Sequence, residues 1–247
     1  MTGVQTCALP IWDRQPGEPA AVKFLVGCSD FRGVFSLGGD LSHFKHCITT
    51  RDAEALRAYA YACVEAMYEN VFGFAQPIIT IGVIEGDALG GGFEAALGFH
   101  VMIAERGVKM GFPEVLFNAF PGMGAYSYLA RRIDQRAAER MILSGAVYPA
   151  EELYEMGVVD VLAEPGQGRE AARRFMRENS RRQSVLFAIN KVKQRFGAPT
   201  LEELRDITDI WVDAMMALEP QDLRKMEILH AAQLRRMRRN AAAAGSA

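Results

Sequence analysis

Residues 78–84 read Ile-Ile-Thr-Ile-Gly-Val-Ile, and two residues later comes Gly86-Asp87-Ala88-Leu89-Gly90-Gly91-Gly92-Phe93-Glu94. A nearly continuous β-branched run of this kind reads as a strand buried on both faces. The glycines then turn the chain into a helical segment near residues 93–99, and residues 100–104 read as the next strand. Alternation of this sort needs crossover connections and argues for an α/β domain.

The rest of the chain fits that class. Residues 22–28 read as a buried strand. Residues 52–74 read as a long helix with Leu56, Ala60, Cys63, Val64, Met67 and Val71 on one face, acidic Asp52 and Glu54 in its first turn, and Pro77 beyond its end. From Gly122 onward the pattern is mostly helical: residues 126–133 and 135–143 suggest two helices. Pro149 and Gly157 bracket another, and residues 158–162 suggest a short strand. Thr200 with Glu203 forms a candidate capping box. It opens a helix with Leu204, Ile207, Thr208, Trp211, Met215 and Leu218 along one side. A last helix is expected over residues 221–236, with an Ala-rich disordered tail after Asn240. This divides the chain into a core at 12–180, a helical region at 181–237 and a tail at 238–247.

With 247 residues, half of them apolar, the chain can build one globular core. A formal net charge of −2 gives no global reason to expect nucleic acid or a membrane surface. No run approaches the roughly 20 apolar residues that span a bilayer. Cys28, Cys47 and Cys63, beside Cys7, have no framework spacing, so a reduced, cytoplasmic setting is expected. His43 and His46 have a gap that suits zinc, but His100 and His230 are isolated and no second ligand pair follows, so no metal is expected. Ser127 lacks a nucleophile elbow, and the glycine run lacks the residues of a P-loop and the spacing of a dinucleotide fingerprint.

Two glycine turns carry the chemistry. One is Gly90-Gly91-Gly92; the other is Phe35-Ser36-Leu37-Gly38-Gly39-Asp40-Leu41. Facing each other, their amides would make a two-donor oxyanion hole. Glu94, and Glu114 within Gly111-Phe112-Pro113-Glu114, can supply an acid and a base. Their plain alternatives are a helix-start charge for Glu94 and a solvated loop carboxylate for Glu114.

These motifs resemble the crotonase (enoyl-CoA hydratase/isomerase) superfamily. The resemblance implies a spiral of stacked ββα turns with a C-terminal helical region, a choice of architecture that periodicity alone does not make. It implies hole amides at Gly39 and Gly91 and catalytic carboxylates at Glu94 and Glu114. Glu94-Ala95-Ala96-Leu97, Met110-Gly111-Phe112-Pro113-Glu114-Val115-Leu116-Phe117, Phe120-Pro121-Gly122-Met123-Gly124-Ala125-Tyr126-Ser127 and Ile210-Trp211-Val212-Asp213 are similar to one branch, the diffusible signal factor synthases of bacterial quorum sensing. That branch makes cis-2-unsaturated fatty acids from 3-hydroxyacyl thioesters on acyl carrier protein. It implies no cofactor beyond the thioester carrier (acyl carrier protein or coenzyme A), a homotrimer or hexamer, and a sensor kinase as a further partner. Asp87 departs from the family, which usually has Asn there; the expected effect is on loop hydrogen bonding.

An acyl tail needs an apolar slot, for which Leu89, Gly90, Met123, Trp211 and Leu229 are the candidates; for the larger side chains the alternative is core packing. Two other functions stay open. One is a catabolic enoyl-CoA hydratase or isomerase using the same site. The other is a non-catalytic crotonase-fold binding protein contacting RNA or protein through Arg235, Arg236, Arg238 and Arg239, which otherwise form a solvated helix end.

Residues 1–11 read as the translation of a short-read sequencing adapter beginning with GTG and are set aside. A signal peptide fits poorly, having neither a basic start nor a sustained apolar stretch. On this reading the natural chain starts upstream of Trp12, and the strands expected there leave an incomplete sheet edge.

Overall fold

The computed structural model describes residues 22–244, with side chains to 235. The readings of residues 1–11 and of Trp12 lie outside the described residues, as does the end of the tail at 245–247.

Among the described residues, eight strands divide between two sheets. β1 (Phe24–Cys28), β3 (Ile79–Ile84), β5 (Val101–Glu105) and β8 (Val161–Ala163) form the first, in the order β1-β3-β5-β8 and all parallel. β2 (Gly33–Ser36), β4 (Gly86–Leu89), β6 (Lys109–Gly111) and β7 (Val147–Pro149) form the second. Only β7 runs antiparallel to its neighbour there. Each successive pair, β1–β2, β3–β4 and β5–β6, gives one strand to each sheet before the chain moves on. That alternation is a spiral of ββα turns, and all six residues of β3 are buried between its layers.

Local chemistry explains the helices. Asp40 caps α1 (Leu41–Thr50), its carboxylate accepting the amides of Ser42 at 3.0 Å and His43 at 3.1 Å. Arg51, at φ 57°, ends that helix in the left-handed region. Asp52 caps α2 (Ala53–Val71), which buries Leu56, Ala60, Val64 and Met67 as its periodicity predicts. α2 stops three residues before the expected end at 74, because a short 3₁₀ turn over Gly73–Ala75 takes the chain toward Pro77. α3 (Gly91–Leu97) follows β4 directly. α4 (Ala125–Arg132), α5 (Gln135–Ser144) and α6 (Ala150–Glu155) fall within two residues of expectation.

α7 (Gly168–Asn179) covers the first sheet, sharing a core with Phe24, Ile81 and Ile103 through Ala171, Ala172 and Met176. α8 (Gln183–Gly197) leads to α9 (Leu201–Met216), whose cap Thr200 accepts the Glu203 amide at 3.0 Å. α9 and α10 (Pro220–Ala244) share a second core with α1 and α2, built from Phe44, Leu56, Trp211, Met215 and Met226. α10 therefore continues through 238–244, where the sequence reading places a disordered tail. Its Ala-rich end has the highest helix propensity available, with no Gly or Pro before residue 245 to stop it.

Among the described residues no helix is long and apolar enough to cross a membrane.

Candidate active site

The two glycine turns meet. β2 and β4 pair in parallel, which sets the loop after β2 against the turn from β4 into α3. A Cβ on Gly38 would stand 3.1 Å from the Gly91 nitrogen, and a Cβ on Gly91 would stand 3.5 Å from the Gly39 nitrogen. At Gly38 the close approach and a φ of 95° call for glycine. Neither the Gly39 nor the Gly91 amide has an acceptor among the described residues, so both are available to an oxygen placed between them.

Both carboxylates face the same space. Glu94 lies in the first turn of α3 and is 1 % exposed. Its Oε1 accepts the amides of Met123 at 2.7 Å and Ala125 at 3.0 Å, from the turn entering α4. Burial nevertheless pushes its carboxyl up to about 7, the two amides opposing the shift. Glu114 lies on a 3₁₀ turn, Pro113–Phe117. Its Oε2 is buried without a partner. Desolvation, reinforced by the charge of Glu94, pushes it up to about 8. Two carboxyls raised together in one site hold a proton between them near neutral pH.

These groups line a cavity of about 320 Å³. The structure brings Gly39, Gly91, Glu94, Glu114, Leu89, Gly90, Met123, Trp211 and Leu229 together on its wall. Phe44, Tyr59, Phe117 and Gln233 also line it, and the sequence reading did not single them out. Phe44 stands edge-on between two rings, 5.4 Å from Tyr59 and 5.3 Å from Trp211. It was missed with the whole of α1, although Asp40 just before Leu41 is a ready helix cap. Tyr59 was missed because it lies beside, not on, the apolar face of α2.

The remaining residues of note have structural partners. Ser127 donates to Glu203 at 2.6 Å. His100 accepts the Thr80 amide at 3.0 Å and, in the tautomer that leaves Nε2 protonated, donates to the Val71 carbonyl at 2.7 Å. The ring of His43 lies 3.6 Å from the Cys47 sulfur, and His230 pairs with Ser42 at 3.3 Å. Asp87 accepts the Lys109 amide at 3.1 Å, tying β4 to β6. Among the described residues no group of three His, Cys, Asp or Glu side chains could hold a metal ion.

Residues 20–230 match the family model described as enoyl-CoA hydratase/isomerase. A glyoxysomal fatty acid beta-oxidation multifunctional protein of Brassica napus is 28 % identical over 176 residues, 71 % of this chain. A peroxisomal counterpart from Arabidopsis thaliana is 29 % identical over 143 residues, 58 % of this chain. The chain spans only 23 % and 19 % of those relatives' lengths. Among solved structures, Pseudomonas aeruginosa DspI aligns with a TM-score of 0.63 at 28 % identity, over 70 % of this chain and 68 % of that one. An enoyl-CoA hydratase from Bacillus halodurans, at 23 % identity, shares the fold with a TM-score of 0.70, over 84 % of this chain and 82 % of that one.

Proposed function

The chain belongs to the enoyl-CoA hydratase/isomerase family, and from that premise we propose that it dehydrates a 3-hydroxyacyl thioester and then hydrolyses the product to a free cis-2-unsaturated fatty acid. The observation that carries the reading is the meeting of two acceptor-free amides and two raised carboxyls on one cavity wall. The thioester oxygen lies between the Gly39 and Gly91 amides. One glutamate removes a proton from the carbon beside the carbonyl, and the enolate oxygen is held by the two N–H groups. The bond to the β-hydroxyl then breaks, with a proton from the other glutamate, and water leaves. Hydrolysis uses the same hole: water activated by a carboxylate adds to the carbonyl carbon, the carbon–sulfur bond breaks, and acid and thiol depart. Loss of one donor in such a hole costs about 3–4 kcal/mol of barrier.

The apolar wall of Leu89, Met123, Trp211 and Leu229 takes the acyl tail, and Gly90, on the same wall, leaves room for the Glu114 carboxylate beside the thioester. No cofactor enters these steps. Under this reading the carrier is acyl carrier protein or coenzyme A, the assembly is a trimer or hexamer, and the setting is cytoplasmic. A sensor kinase is a further partner by resemblance to the signal factor synthases. The likeness to DspI supports this branch; the likeness to the beta-oxidation proteins favours a second reading, an enoyl-CoA hydratase or isomerase that leaves the thioester intact.

Product analysis by mass spectrometry after incubation with 3-hydroxydodecanoyl–acyl carrier protein separates them. Free cis-2-dodecenoic acid supports the synthase. Reversible hydration without acid release assigns the hydratase, and no turnover of carrier-protein or coenzyme A substrates by folded protein leaves only a binding role.

A further inference from the structure

Gly38 and Gly39 are joined by the most freely rotating linkage a chain can contain, yet the proposed chemistry needs the Gly39 N–H fixed in direction. The structure shows what restrains it. On one side, the Gly38 amide donates to Ser36 Oγ at 3.3 Å. On the other, the Asp40 amide donates to the hydroxyl of Tyr59, on α2, at 3.2 Å. One residue before the glycines, the Leu37 carbonyl accepts from Gln233 Nε2, on α10, at 3.1 Å. The amides on both sides of Gly39 are thus occupied, and its own is left for the cavity. The Tyr59 ring is held in turn: Phe44 packs edge-on against it, with ring centroids 5.4 Å apart.

We propose that Tyr59 and Gln233 are positioning residues that clamp the Leu37–Asp40 loop from two separate helices and so aim the Gly39 amide at the substrate oxygen. This deepens, and rests on, the oxyanion-hole reading above. It gives the C-terminal helix a part in the chemistry, because α10 reaches across 196 residues of sequence to hold the loop.

The test compares the parent with Tyr59→Phe and Gln233→Met, each keeping most of the side chain and losing the hydrogen bond. Because the two lie on different helices, a failure of one variant to fold leaves the other informative. The probe is 4-(dimethylamino)cinnamoyl–coenzyme A, a chromophore whose absorption moves to the red when its carbonyl is polarised. The expected result is a red shift with the parent and a clearly smaller one with each variant. With it, kcat should fall about tenfold or more while KM stays within about threefold, as befits an interaction strengthened in the transition state. A merely structural role would lower stability without moving the absorption of the bound probe. Parent-like shifts and turnover in both variants would overturn the clamp while leaving the hole intact. A probe that binds the parent with no red shift would instead refute the oxyanion-hole reading, and the clamp with it.

Discussion

Glu114 occupies the space that a side chain on Gly90 would need: a Cβ there would lie 2.3 Å from Glu114 Oε1. Gly90 also sits at φ 54°. Gly90→Ala therefore strains the turn and displaces the carboxylate together. The expected outcome is at least about a 10²-fold loss of kcat/KM, the scale on which a misplaced reacting group is felt. Steady-state kinetics on the folded variant check it, and parent-like rates would show that Glu114 need not sit where it does.

The raised carboxyls give the site a pH signature. Both groups bind protons more tightly folded than unfolded, where their ordinary value is 4.5. Their protonated forms thus add stability that is fully present below 4.5 and is lost as pH rises through about 7 and 8. Glu114→Gln removes part of that loss. It should raise Tm at pH above 8 by about 2–4 °C for each kcal/mol gained, and change it little in acid. For the parent, kcat/KM against pH should be bell-shaped, with limbs belonging to the pair as a whole. A profile that is flat from pH 6 to 9 would contradict the shared proton.

Asp87 tests how far the chain tolerates its departure from the family. Its contact with Lys109 is an acceptor's role, which an amide oxygen fills equally well. Asp87→Asn should keep activity within about threefold, whereas Asp87→Ala should cost about 1–3 kcal/mol of stability by leaving a backbone N–H short of its partner. Thermal denaturation of both variants decides; equal stability of the two would mean that this contact holds nothing together.

Much of this was legible in the sequence, and each miss has a physical cause. β3 and α2 were readable because long runs repeat their period many times over. β6 and β7 were not, since three residues give no period, and β4 was hidden because Gly86 opens it and the glycine run 90–92 follows at once, so the stretch read as a turn. The glutamates and glycines of the site stood out as motifs. Tyr59 and Gln233 did not, because their importance lies in hydrogen bonds to a loop 19 and 196 residues away in sequence. Such pairings become visible only when the helices are packed.

The cavity's reach toward α10 predicts a chain-length effect. Leu229→Trp fills part of the wall near the C-terminal helix. It should lower kcat/KM for a 3-hydroxydodecanoyl thioester by about tenfold or more, the scale of a few kcal/mol of lost apolar contact, while sparing a 3-hydroxybutanoyl one. Equal losses on both substrates would place the tail elsewhere.

The most direct measurement is the rate of water elimination from a 3-hydroxydodecanoyl thioester, followed by the ultraviolet absorbance of the enoyl product, for the parent, Glu94→Gln and Glu114→Gln. Each variant keeps the shape of its side chain and loses only proton transfer. The account predicts turnover by the parent and a fall of about 10²–10⁴-fold in each variant. Parent-like elimination by either variant would contradict the two-carboxylate mechanism.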